Sequence, residues 1–242
     1  MAVHICGNSH VAALRKGQEK LNQDRYRDIL IFPLAGAMFE LSPFSKGLAD
    51  AVTFTEKRFV NNLHQYTRLN QIDATHYWGF TMGNRHSRLY ADRLWSEAEP
   101  AEICSSGMRP ITSGQLTAMI ENGQTHTQQF FLQLKSAGVR FFAIAAPFPR
   151  QDACGARNIR PETLLYVNNA ACNLHRNWLM SHNIDYVEPP PQCLDEQGFL
   201  KAEYGSEVKP NGLKDYHHAN ADYGALMMER IGDFLAAKTS AV

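Results

Sequence analysis

The sequence predicts an α/β domain in which helices cover both faces of a central, mostly parallel sheet of five strands. Short apolar segments alternate along the chain with longer segments whose apolar residues recur at helical spacing. Residues 139–146 are apolar almost throughout, as expected for a strand that is buried on both faces of a parallel sheet. The 242 residues are enough for one domain of this class with one sizeable core. We therefore predict a three-layer α/β/α sandwich that spans residues 1–242 as a single domain.

Five apolar segments are predicted to be the strands. In order, they are residues 3–6, 29–32, 76–80, 139–146 and 184–187. Each is followed by residues that interrupt a sheet: Gly7 after the first, Pro33 after the second, and prolines or a Gly-Asn turn after the others. In a parallel sheet the carboxyl ends of the strands meet at one edge, and ligands bind there. The segments after the strands are therefore the place to look for a site.

Five segments with apolar residues at helical spacing are predicted to be helices. They cover residues 11–21, 59–69, 116–134, 161–179 and 222–237. Gly123 is a point at which the third helix could be interrupted, whereas Pro161 and Glu162 suit the first turn of the fourth. Residues 43–55 show no clear period. Residues 89–110 are predicted to form a surface excursion, and long excursions in compact domains are often functional.

Composition excludes several classes of function. Lys plus Arg and Asp plus Glu are 24 each, so there is no basic field to attract nucleic acid or an anionic membrane. No apolar run approaches the length of a membrane span, and Gly7 comes before the core of a signal peptide could form. The 5 cysteines are dispersed without a Cys-x-x-Cys pair, which indicates reduced thiols rather than disulfides or a zinc site. We expect a soluble, cytoplasmic protein that binds neither nucleic acid nor membrane, and the sequence leaves its oligomeric state open.

Two motifs at opposite ends of the chain carry chemistry. Gly7-Asn8-Ser9-His10 places a serine between the first strand and the first helix, where a hydroxyl is exposed and backbone N–H groups can face an oxyanion. The alternative is that Ser9 only caps the helix. Asp215 precedes His218 by three residues, in a loop before the last helix. That spacing lets the carboxylate orient the imidazole, and an imidazole held in this way can take a proton from a serine hydroxyl.

With these motifs, the chain resembles the SGNH/GDSL hydrolase superfamily in its GNSH-opening form, whose fold is flavodoxin-like. The resemblance covers nearly the whole chain, because Ala219, Asn220 and the Tyr223-Gly224 pair continue the terminal motif as in the family. Gly36 and Asn84 stand where the family places an oxyanion-hole glycine and asparagine, although the family pattern is Gly-x-Asn and here the glycine directly precedes the asparagine. Both residues are also explained as turn residues.

The resemblance implies a serine hydrolase that cleaves a carboxyl ester through an acyl-enzyme. Ser9 would be the nucleophile, His218 the general base and then the general acid, and Asp215 the residue that orients His218. The backbone N–H groups of Ser9 and Gly36 and the side chain of Asn84 would stabilise the oxyanion. The mechanism requires no metal and no organic cofactor. The substrate class that the resemblance suggests is an acetylated carbohydrate or another small acyl ester.

Further residues at the predicted edge of the sheet are candidate substrate contacts. They are His10, Arg85, His86, Arg150 and His217. For Arg85, His86 and Arg150 the alternative is a solvated loop charge, and for His217 it is an exposed loop residue without a role in binding. Two other functions remain open: a non-catalytic protein of this fold that binds a glycan or a partner, and an acyltransferase that uses the same residues. The sequence has no Gly-x-Ser-x-Gly, Gly-x-Gly-x-x-Gly or His-Glu-x-x-His motif, which argues against ordinary α/β-hydrolases, dinucleotide enzymes and zinc proteases.

Overall fold

A computed structural model describes residues 2–83, 89, 92–208 and 212–240 of the chain. The strands are β1 (Val3–Gly7), β2 (Ile29–Pro33), β3 (Ser45–Gly47), β4 (Ala51–Phe54), β5 (Ile72–Asp73), β6 (Tyr77–Thr81), β7 (Ala98–Pro100), β8 (Arg109–Ile111), β9 (Arg140–Ile144) and β10 (Asp185–Val187). The α-helices are α1 (Val11–Leu21), α2 (Lys57–Thr67), α3 (Ser113–Ser136), α4 (Asp152–Arg157), α5 (Pro161–Ser181) and α6 (Ala221–Ser240).

The central sheet has five strands in the spatial order β10-β9-β6-β1-β2. All four neighbouring pairs are parallel, which confirms the predicted fold class and the five predicted strands. Gly7 at the end of β1 lies beside Pro33 of β2 and Thr81 of β6. The segments that follow these three strands therefore leave the sheet at the same level, at its carboxyl edge.

Helices cover both faces of this sheet. Successive side chains of each strand point to opposite faces, so both faces carry apolar side chains that the helices bury. Ile5 of β1 packs with apolar residues of α1 and α6 on one face. Its neighbour Cys6 packs on the other face, where α2, α3 and α5 contribute Phe59, Phe131 and Leu179 to a second core. Full burial of a large apolar side chain contributes about 1.5–3 kcal/mol, so the two cores hold the three layers together.

Helices α1 and α6 cross at two glycines. A methyl group at Gly224 would overlap the carbonyl group of Ala13, and one at Gly17 would overlap the backbone of Gly224. The helices can approach this closely only because both positions lack a side chain. Since α1 follows Ser9 and α6 follows His218, this contact brings the two predicted motifs together.

Two segments without a clear sequence pattern also form structure. Strands β3, β4 and β5 make a small antiparallel sheet, so residues 43–55 are ordered by pairing rather than by apolar period. Within residues 89–110, β7 pairs with β8, and Trp95 and Ala98 are buried against apolar residues of α3 and α5. Helix α3 runs through Gly123 without a break. In the part of the chain that is described, no helix has the length and apolarity needed to cross a membrane.

Candidate active site

Ser9 lies in the turn that connects β1 to α1. The N–H of Val11 donates to the carbonyl of Asn8 at 3.3 Å, and the N–H of Ala12 donates to the carbonyl of Ser9 at 3.1 Å. The side-chain Oδ1 of Asn8 accepts the N–H of His10 at 3.1 Å. The residues on both sides of Ser9 are therefore fixed by hydrogen bonds, and the serine is held at the start of the helix.

The structure brings Ser9, His218 and Asp215 into one hydrogen-bonded series. His218 Nε2 lies 2.8 Å from Ser9 Oγ. On the other side of the ring, His218 Nδ1 lies 2.9 Å from Asp215 Oδ2. Asp215 is almost fully buried, whereas the His218 side chain is 29% exposed. A neutral imidazole in this position donates from Nδ1 to the carboxylate and accepts the serine proton at Nε2.

Asp215 is held as an ionised carboxylate by its own turn. Burial by itself raises the pKa of Asp215, but the backbone N–H groups of His217 and His218 and the imidazole of His218 outweigh it and keep the pKa below its ordinary value. The two backbone N–H groups donate to Oδ1 at 2.9 and 3.1 Å, so the second oxygen is left for the imidazole. The three-residue spacing thus orients the imidazole as the sequence predicts.

A cavity of about 350 Å³ opens beside Ser9 and His218. His10, Lys16 and Val208 are among its lining residues. The ring of His10 lies edge-on to that of His217, with 4.9 Å between ring centroids. Of these two candidate substrate contacts, His10 lines the cavity, and the ring of His217 packs against that of His10.

Arg150, a predicted substrate contact, is instead buried and paired inside the protein. Its Nε and Nη2 donate to the Asp152 carboxylate at 3.1 and 2.9 Å, and its Nη1 donates to the carbonyl of Ser206. The N–H of Ser206 in turn donates to the carbonyl of His218 at 2.8 Å. Arg150 therefore supports the backbone behind His218, and its guanidinium is already engaged.

Among comparisons with known proteins, only the search of solved structures finds a match, and that match concerns the fold. No family model matches the chain, and a search of curated proteins finds no relative. Among solved structures, the chain is similar to a protein from Bacteroides fragilis NCTC 9343 that is provisionally described as an acylhydrolase, with 10% sequence identity, a TM-score of 0.51, and coverage of 98% of this chain and 87% of that one. It also resembles a GDSL-like lipase from Bacteroides thetaiotaomicron VPI-5482, with 11% identity, a TM-score of 0.48, and coverage of 98% and 88%.

The chain has the fold of the SGNH/GDSL hydrolases. At this level of sequence identity the likeness concerns the fold, so the chemistry must be argued from the residues of this chain.

In this SGNH/GDSL fold, the ends of β2 and β6 lie beside the end of β1, where the turn that holds Ser9 begins. Gly36 begins the short 3₁₀ helix Ala37–Leu41, and the N–H of Leu34 donates to the carbonyl of Gly7 at 2.8 Å, which keeps this segment against the turn. Gly83 follows β6. The predicted oxyanion residue Asn84 and the predicted substrate contacts Arg85 and His86 lie outside the described residues.

One buried carboxylate in this region was not predicted from the sequence. Glu40 is 1% exposed. It accepts a hydrogen bond from the side chain of Asn8 and one from the backbone N–H of Gly83. The only signal for it in the sequence is a lone carboxylate between apolar neighbours, Phe39 and Leu41.

Proposed function

We propose that this chain is a serine esterase or deacylase that hydrolyses a carboxyl ester through an acyl-enzyme on Ser9. The observation that carries the proposal is the alignment of Ser9 Oγ, the His218 ring and the Asp215 carboxylate at 2.8 and 2.9 Å. These distances lie within the range for proton transfer from a nucleophile to its base and for a base held by its orienting group.

In the proposed reaction, Ser9 Oγ attacks the ester carbonyl while His218 Nε2 takes the hydroxyl proton. The tetrahedral intermediate collapses, the bond to the alcohol breaks, and His218 gives the proton to the departing alkoxide. Water then attacks the acyl-enzyme with His218 again as base, which releases the acid and returns the proton to Ser9. The N–H groups of Ser9 and Gly36 and the Asn84 side chain are proposed to stabilise the oxyanion, and each such donor typically contributes about 100- to 1,000-fold in rate.

The site geometry favours catalysis over the non-catalytic alternative. A glycan- or partner-binding surface has no need for a serine hydroxyl aligned with an imidazole and a buried carboxylate. The cavity of about 350 Å³ beside Ser9 is suited to a small acyl group, and we propose a short-chain ester such as an acetylated carbohydrate as substrate. An acyltransferase would use the same residues, and it would differ by passing the acyl group to an added sugar hydroxyl rather than to water.

Hydrolysis of p-nitrophenyl acetate and p-nitrophenyl butyrate by the wild type and by Ser9→Ala tests the proposal. We expect Ser9→Ala to lower kcat by at least about 10,000-fold, because without the nucleophile only binding and the oxyanion donors remain. Ser181→Ala is the matched control, since Ser181 is an exposed serine at the end of α5. Equal rates in the wild type and Ser9→Ala would contradict the esterase proposal.

A further inference from the structure

We propose that Glu40 is a positioning residue of this active site. Its buried carboxylate ties together the segments that follow β1, β2 and β6 and so holds the proposed oxyanion donors in place. The inference rests on the proposed function, because these three segments carry Ser9, Gly36 and Asn84.

The contacts of Glu40 reach each of these segments. Oε1 accepts from Asn8 Nδ2 at 3.3 Å, next to Ser9. Oε2 accepts from the backbone N–H of Gly83 at 3.0 Å, at the end of the β6 segment. Glu40 itself belongs to the 3₁₀ helix that Gly36 begins. One side chain thus joins all three segments.

A third hydrogen bond anchors the carboxylate to the body of the fold. Thr127 Oγ1, on helix α3, donates to Oε2 at 3.0 Å. Helix α3 packs on the sheet through Phe130 and Phe131, which are both fully buried. The position of Glu40 is therefore set by the core, and Asn8 and Gly83 are attached to the core through it.

Burial of a carboxylate is unfavourable unless its oxygens are hydrogen-bonded. A purely structural role at this point of the core would be served by an apolar side chain, whose burial is favourable in itself. The three donors to Glu40 include the side chain before the proposed nucleophile and the backbone before the proposed oxyanion asparagine. What the carboxylate provides, and an apolar residue cannot, is a fixed spacing between those two loops.

Glu40 also explains why the residue before Ser9 is an asparagine. Asn8 donates through Nδ2 to Glu40 and accepts through Oδ1 from the N–H of His10. The side chain of an aspartate at position 8 would have no N–H to donate, and its carboxylate would face that of Glu40. Asn8 and Glu40 are therefore a matched donor and acceptor.

The matched pair allows a swap experiment. In Glu40→Gln, the amide oxygen takes over the bonds from Gly83 and Thr127, and the amide NH₂ then faces the NH₂ of Asn8. In Asn8→Asp, two carboxylates face each other. In the double variant the NH₂ of the new glutamine donates to the new aspartate, whose other oxygen still accepts the N–H of His10. Complementarity is lost in each single variant and restored in the double variant.

The test measures kcat and KM for p-nitrophenyl acetate in the wild type, the two single variants and the double variant, with thermal unfolding as the check of folding. We expect each single variant to lose about 100-fold in kcat with KM changed little, because a displacement of about 1 Å at a reacting centre has an effect of this size. The double variant should regain at least half of that loss on a logarithmic scale. A merely structural role would lower Tm without this rescue of kcat.

Glu99→Gln is the matched control, since Glu99 is the other 1%-exposed glutamate. Its partners are Ser105 and, at the start of α5, Arg160 and Thr163, none of which is part of the site. This variant should lower Tm and leave kcat unchanged. A folded Glu40→Gln with wild-type kcat, or a double variant no better than Asn8→Asp, would overturn the Glu40 proposal alone. If Glu40→Gln does not fold, the comparison of Asn8→Asp with the double variant decides. A wild type no more active than Ser9→Ala would overturn both proposals.

Discussion

The two edges of the central sheet each hold histidine and aspartate, but they use them differently. At the carboxyl edge, His218 has one ring nitrogen at Asp215 and the other at Ser9. At the amino edge, His4 of β1 stacks on His76 with 4.3 Å between ring centroids and packs edge-on to Trp78. Its Nδ1 is buried and has no hydrogen-bond partner among the described residues.

The difference shows that residue type and cavity size do not identify the site. The amino edge has the larger cavity, about 760 Å³, lined in part by Val3, Tyr77 and Arg140. Among the described residues, those that line this cavity include no serine. The carboxyl edge has a smaller cavity of about 350 Å³, but the loops and helix starts that meet there can aim a hydroxyl, an imidazole and a carboxylate at one another. Position on the sheet, rather than composition, distinguishes the two pairs.

The largest expected effect that tests this comparison is that of Asp215→Asn. The new amide still accepts the backbone N–H groups of His217 and His218, but its NH₂ donates to His218 Nδ1. The ring then carries its proton on Nε2 and cannot accept that of Ser9, so we expect kcat to fall by about 10,000-fold. The measurement is steady-state hydrolysis of p-nitrophenyl acetate.

Asp73→Asn is the matched variant at the amino edge, where Asp73 lies close to His4. It should leave kcat within about two-fold of the wild type, since surface substitutions away from special features have small effects. Similar losses of activity in the two variants would mean that the edges do not differ as described.

A smaller effect, on stability alone, is expected from His4→Phe. Burial, and then the neighbouring His76, lower the pKa of His4 from 6.5 to about 4, although Asp73 opposes this. The unfolded chain therefore binds a proton at this position between about pH 6.5 and 4 that the folded chain does not. The free energy of unfolding therefore decreases as the pH is lowered through this range. Between pH 7 and pH 5, His4 accounts for at most about 2 kcal/mol of that decrease.

Phenylalanine keeps the packing against Trp78 and does not titrate. Urea unfolding at pH 7 and pH 5 should therefore show a smaller loss of stability in His4→Phe than in the wild type, with kcat at pH 7 unchanged. An identical pH dependence in both proteins would show that His4 does not titrate as its burial implies.

The sequence predicts the parts of the molecule that follow from periodicity and local spacing. Apolar runs located all five central strands, and the three-residue step from Asp215 to His218 predicted a contact that lies within one turn. The pairing of Ser9 with His218 was predicted from the family resemblance, and physically it depends on the close crossing of α1 and α6 at Gly17 and Gly224. No local pattern encodes that crossing.

What could not be predicted depends on contacts between distant segments. Strands β3 and β5 have three and two residues, too few to show a period, and exist because β4 pairs with both. Arg150 has the sequence features of an exposed loop charge, but it is buried and donates hydrogen bonds to Asp152 and to the Ser206 carbonyl. Glu40 acquires its partners Asn8 and Gly83 only when three strands end at one level.

The measurement that tests the central claim most directly is labelling with a fluorophosphonate, followed by peptide mass spectrometry. These reagents phosphonylate serines whose hydroxyl is activated by a neighbouring base. We predict one modified residue, Ser9, in the wild type, and strongly reduced labelling in His218→Ala at the same concentration and time. A folded wild-type protein with no label on Ser9, or with Ser9 labelled equally in His218→Ala, would contradict the account of Ser9 as a nucleophile activated by His218.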